Sequence, residues 1–153
     1  MYSGVYTMIL SATAVTSAIT VVQVRAGSLA ALDVIRAWVG QGAGETSTQE
    51  DIALIRKSTA ATVSSKAPVL LQPANAAAQA IGTGSGTGVN ATVEGTDGDI
   101  LVREGFNVLN GWLYLPVLEE RPRVAPNGTV ALKFMTVPAS QPFTAGITWG
   151  ELG

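Results

Sequence analysis

A chain without a single histidine or cysteine has to do any chemistry with carboxylates, lysines, hydroxyls or its own backbone. Lack of cysteine excludes disulfides and thiolate nucleophiles, and lack of histidine removes the commonest general base and metal ligand. The run Gly82-Thr-Gly-Ser-Gly-Thr-Gly88 invites a phosphate cradle. Its glycines fall at every second position, it follows no clear strand, opens no helix and precedes no Lys-Ser/Thr pair, so nucleotide binding is not the reading. Asp97-Gly98-Asp99 with Glu94 offers oxygens to calcium, but the further ligands and the distal glutamate of a calcium loop are missing, and Asp and Gly are what surface turns use. Glu119-Glu120 would sit on opposite faces of a strand, which makes a solvated strand end with Arg121 or Arg123 as ionic partner rather than an acid–base pair. Ser65-Lys66 lacks the context of an activated serine. Asn90-Ala-Thr92 and Asn127-Gly-Thr129 match glycosylation acceptors, which matter only in a chain secreted by a eukaryotic cell. Trp38, Trp112 and Trp149 could line a pocket, but in a β-sandwich such residues ordinarily fill the core. The expectation is a protein that is not an enzyme and takes neither metal nor cofactor.

Composition points the same way. Charged residues are 13% of the chain, and nine basic against eleven acidic side chains leave a net charge of −2, so there is no electrostatic case for nucleic acid or an anionic membrane. A surface this poor in charge is short of solubilising groups, and the simplest remedy is that other subunits cover much of it. The first charged side chain is Arg25, which raises the question of an export or membrane segment. Against it, there is no basic n-region, and Ser, Thr, Gly and Gln recur too often for a run of about 18 apolar residues.

The elements that position these residues read as short strands. Tyr2–Leu10 is rich in β-formers, Ser11–Ser17 is a small-residue connector, and Ile19–Arg25 alternates. Leu32–Gln41 reads as a strand, with a helix over Leu29–Val39 as rival; Val34, Ile35, Trp38 and Val39 favour the strand. Asp51–Ser58 alternates clearly, and a Gly/Ser/Thr/Gln loop at Gly40–Gln49 precedes it. Pro73–Gly88 is a long irregular element: its first residues could make a helical turn, and Gly82–Gly88 predicts a loop, flexible or laid as backbone against something. Val89–Glu94 and Ile100–Glu104 flank a turn at Gly95–Asp99, Asn127-Gly128 signals a hairpin, and Thr129–Thr136 and Phe143–Leu152 close the chain. Roughly eight or nine strands at this spacing, with no helix–strand alternation, predict an all-β, antiparallel, jelly-roll-like sandwich with a long Gly-rich loop. One domain spans residues 1–153, with 1–17 as a possible extended interaction segment.

The densest apolar stretch is Phe106–Arg121. Asn110-Gly111 is a strong turn dipeptide; Trp112, Tyr114 and Pro116 then share one face of an extended segment, with Leu113, Leu115 and Val117 on the other. Two apolar faces imply two covers, the core on one side and a second sheet or a neighbouring chain on the other. Phe106-Asn107-Val108, Gly111-Trp112, Tyr114-Leu115-Pro116, Glu119-Glu120-Arg121 and the closing β-segment to Gly153 together resemble small head structural proteins encoded beside the major capsid protein of tailed bacteriophages. Many of these are capsid decoration, or cement, proteins.

The resemblance implies a virion protein on the capsid surface, assembled in the host cytoplasm. Its partners would be the major capsid protein and itself, as a homotrimer. Candidate interface residues are Tyr2, Tyr6 and Met8 in an N-terminal segment that could add as a strand to a neighbour, Pro73, Asn75 and Gln79 in the long loop, and Trp112, Tyr114 and Arg121 in the apolar stretch. The alternative is a receptor- or glycan-binding jelly-roll module such as a fibre or head-spike domain, since the same architecture serves lectins.

Overall fold

The structure, a computed structural model, describes residues 2–42, 47–71 and 86–153. Twelve strands make up most of it: β1 (Gly4–Ala14), β2 (Thr20–Arg25), β3 (Ala31–Gln41), β4 (Gln49–Thr59), β5 (Thr62–Ser65), β6 (Val69–Leu70), β7 (Gly88–Val93), β8 (Thr96–Asn107), β9 (Trp112–Tyr114), β10 (Arg123–Val124), β11 (Thr129–Phe134) and β12 (Pro142–Leu152). The one helical piece among the described residues is a 3-10 turn at Leu118–Glu120. The helix considered for Leu29–Val39 is absent, because Leu32, Val34, Ala37 and Val39 are buried on the strand β3.

The pairing is nested: β1 pairs with β12, β2 with β11, β3 with β9 and β10, and β4 with β8, all antiparallel. That is one long hairpin. Rolling it up lays β12 beside β3 and β11 beside β4, which yields two packed antiparallel sheets with jelly-roll connectivity. Sheet A runs β10-β3-β12-β1-β6 with β9 also on β3, and sheet B runs β5-β7-β2-β11-β4-β8. Residues 60–95 interrupt the hairpin at its tip, and contribute β5 and β7 to sheet B and β6 to sheet A.

Between the sheets, Val22, Val24, Ile52, Leu54, Val130, Leu132 and Phe134 of sheet B meet Tyr6, Met8, Val34, Val39, Ile147 and Trp149 of sheet A. Phe134 and Phe143, one from each sheet, are tilted against each other at 4.8 Å. Gln23, Ile55 and Ala131 alternate out of this core yet are fully buried. The insertion holds Gln23: its Nε2 donates to the carbonyls of Ala61 and Gly86 at 3.0 and 2.7 Å, and its Oε1 accepts from the Ala61 N–H at 2.8 Å.

Several expectations change. Tyr2–Leu10 is not an edge: β1 lies inside sheet A between β12 and β6 and continues to Ala14 through an irregularity at Ala12, φ 32°. The connector expected over Ser11–Ser17 therefore begins later. The turn expected at Gly95–Asp99 is the start of β8, because lysines on β4 and β11 hold Asp97 within the sheet. Glu119 and Glu120 sit exposed in one 3-10 turn rather than along a strand. Both Asn-Gly pairs do turn the chain, with positive φ at Gly111 and Asn127. Neither closes a hairpin; each carries the chain from one sheet to the other. Most of the Gly-rich run, Gly82–Ser85, lies outside the described residues, whereas Gly86–Gly88 is buried against β2.

Candidate interaction surface

Gly111, with φ 69°, ends the turn after β8; its N–H and that of Asn110 donate to the Asn107 carbonyl. The chain then lays β9 along β3, placing Trp112 opposite Val39, Leu113 opposite Trp38 and Tyr114 opposite Ala37. Trp112 is locked on the inner side. Its Nε1 donates to Glu104 Oε2 of β8 at 2.7 Å, and its ring lies nearly parallel to that of Tyr114, 6.2 Å away. Pro116 is buried as well. Strand alternation then fixes the other side chains outward.

The outward set is apolar. Leu113, Leu115, Val117 and Leu118 are 60, 63, 60 and 65% exposed, and Leu109 in the preceding turn is 58% exposed. Among the described residues no strand pairs with the outer edge of β9, and no second sheet covers this face. The expected inner cover exists, and among the described residues no outer one does. The apolar surface continues across sheet A along one row of the ladder: Leu113, then Trp38, then Gly146, then Ile9. Trp38 lies flat over Gly146, with the Arg36 guanidinium 4.6 Å from the ring centroid. Five large aliphatic side chains on a backbone pinned by buried neighbours form a preformed shelf suited to a protein surface.

The predicted interface residues are dispersed. Tyr6 and Met8 are core residues, stacked under Trp149 and between the sheets, because β1 is an internal strand. Trp112 is buried and Tyr114 half-buried, so this pair supports the shelf without forming its surface. Burial, helped by the charge of Glu120, raises the Tyr114 phenol above its ordinary range. Tyr2 and Arg121 do come together: Arg121 Nη1 donates to the Tyr2 hydroxyl at 3.0 Å, which donates to Asp33 Oδ2 at 3.3 Å. Arg123 grips Asp33 through two hydrogen bonds at 2.8 and 3.0 Å. Pro73, Asn75 and Gln79 lie outside the described residues.

Other polar groupings are engaged internally. In a cleft of about 530 Å³ lined by Glu50, Asp51 and Glu104, Glu50 accepts from Thr48 and the Ala139 N–H, Asp51 from Arg103, and Glu104 from Trp112. No group of three or more metal-ligating side chains occurs among the described residues. No helix among them is long and apolar enough to cross a membrane. Trp112 and Trp149 are buried on the inner side of sheet A and Trp38 lies half-buried between Gly146 and Arg36, so none is offered on a loop. What sequence reasoning missed was which side of Leu113–Val117 is bare. The alternation was visible; which face is covered depends on long-range packing.

No protein-family model, curated protein or solved structure matches the chain. Fold and surface therefore define it as an antiparallel jelly-roll sandwich with an apolar shelf on one edge of sheet A.

Proposed function

We propose that this chain is a structural virion protein that docks its jelly roll on the outer face of a tailed-phage capsid and stabilises the shell. The observation that carries the reading is the exposed set Leu109, Leu113, Leu115, Val117 and Leu118, on and around a strand whose Trp112 and Tyr114 pack on the inner side. Burying such residues contributes about 1–2 kcal/mol each, enough for five of them to anchor an interface whose rim is polar. The resemblance over Phe106–Arg121 supplies the partners, the major capsid protein and further copies of this chain as a trimer. The charge-poor composition, 13% charged, fits a surface that is covered in use.

Copies bound at many equivalent positions stabilise a lattice by mass action, since they bind the assembled shell and not its dissociated subunits. Differential scanning calorimetry of shells assembled from the capsid protein of the same genome tests this. The reading predicts a shell transition that rises with added protein until the sites saturate. A transition that does not move at any ratio rejects it.

A further inference from the structure

On sheet B, four charged side chains meet where the insertion returns to the rolled hairpin. The Lys57 side chain on β4 is fully buried, with Nζ 2.6 Å from Glu94 Oε2 and 2.6 Å from Asp97 Oδ1. Lys133 on β11 reaches Asp97 Oδ2 at 2.7 Å and Glu94 Oε2 at 3.6 Å. Glu94 lies between β7 and β8 and also accepts from the backbone N–H and the hydroxyl of Thr20, the first residue of β2. The contact thus joins the insertion's return to β2, β4, β8 and β11. Arg25 of β2 lines the same cleft as Lys57, and Asp99, further along β8, is exposed.

We propose that Lys57, Lys133, Glu94 and Asp97 form an acid-released clasp, which holds the insertion on sheet B at neutral pH and frees it on acidification while the rolled hairpin stays folded. Two ammonium groups balance two carboxylates. Protonating either acid leaves a net positive charge beside the buried Lys57 ammonium, which burial penalises. For Glu94, burial works to raise the carboxyl but is outweighed by the Lys57 and Thr20 hydrogen bonds and the Lys57 charge, which hold it below its ordinary range. For Asp97, burial is likewise outweighed by hydrogen bonds and charge from Lys133 and Lys57. Carboxyls with lowered folded-state values give stability that is complete above the ordinary carboxylate range and is lost as pH falls from that range through the folded values.

Release is local because the described part of the insertion is held otherwise chiefly by the Gln23 amide, by Leu70 and Val89 against the main core and by short ladders. Its apolar residues Ala61, Val63 and Ala91 form a cluster separate from the main core. Its ladder contacts are Val89 and Gly88 on β2, and Leu70 and Val69 on β1. Small, separately cored units of this kind open as cooperative local segments.

Hydrogen exchange on the full chain, corrected for the intrinsic effect of pH, tests the clasp. Between neutral pH and about pH 3.5, protection in β5 and β7 falls about tenfold or more, and that in β3 and β12 is retained. The double variant Glu94→Gln/Asp97→Asn shows the acid pattern already at neutral pH. If that variant fails to fold, the wild-type series alone decides. Parallel loss in all strands, unchanged protection in β5 and β7, or a folded double variant as protected as wild type overturns the proposal. So does an intact mass lower by one water, which would mean that Lys57 has condensed with a carboxylate.

Discussion

Trp38 lies flat across Gly146, so close that a Cβ added at residue 146 would come within 2.2 Å of the indole ring. The two are directly opposite on β3 and β12. The glycine is what allows a large aromatic to lie down on the outside of a sheet and join Leu113 to Ile9 in one apolar row.

Gly146→Ala should therefore lift Trp38 from the sheet and separate it from Arg36. We expect a loss of about 1–3 kcal/mol in denaturant unfolding and a red shift in Trp38 emission, isolated by difference against Trp38→Phe. An unshifted spectrum with unchanged stability would show that the ring does not depend on the glycine.

Gln23 is fully buried and stands in for a backbone partner to the insertion, taking both the N–H and the C=O of Ala61. Gln23→Ala leaves those groups without that partner, and should cost about 2–3 kcal/mol. Urea unfolding measures it; a loss comparable to that of a surface substitution would mean water replaces the amide.

Alkaline pH should weaken the fold. Burial, reinforced by the neighbouring Glu151 charge, raises the Tyr6 phenol, and Tyr114 is raised as well. A folded-state value above the unfolded one gives stability that is complete below about pH 10 and is lost as pH rises through the folded value. Phenolate absorbance followed in native and urea-denatured protein should show part of the native signal displaced upward. Coincident titrations would contradict it.

The sandwich was legible because burial on one face imposes a period of two: Thr129–Thr136 and Phe143–Leu152 were read close to β11 and β12. The corner positions were legible too, since Asn110-Gly111 and Asn127-Gly128 turn where expected. Which sheet receives the next strand is not, so Asn127-Gly128 reads as a hairpin although it carries the chain across to the other sheet. Asp97-Gly98-Asp99 has turn composition, but Lys57 and Lys133 are distant in sequence and outvote it. The same limit hid the shelf: alternation in Leu113–Val117 defines two faces, and only the packed chain shows that Trp112 takes the inner one.

The central claim rests on Leu113 and Leu115, exposed and outside the core, so Leu113→Asp/Leu115→Asp should change unfolding stability by no more than about 0.5 kcal/mol per site. Cosedimentation of wild type and this variant with shells assembled from the capsid protein of the same genome is the most direct measurement. The account predicts saturable pelleting of wild type and loss of at least about a hundredfold in affinity for the folded variant. Equal pelleting of the two proteins, or none by wild type, would contradict it.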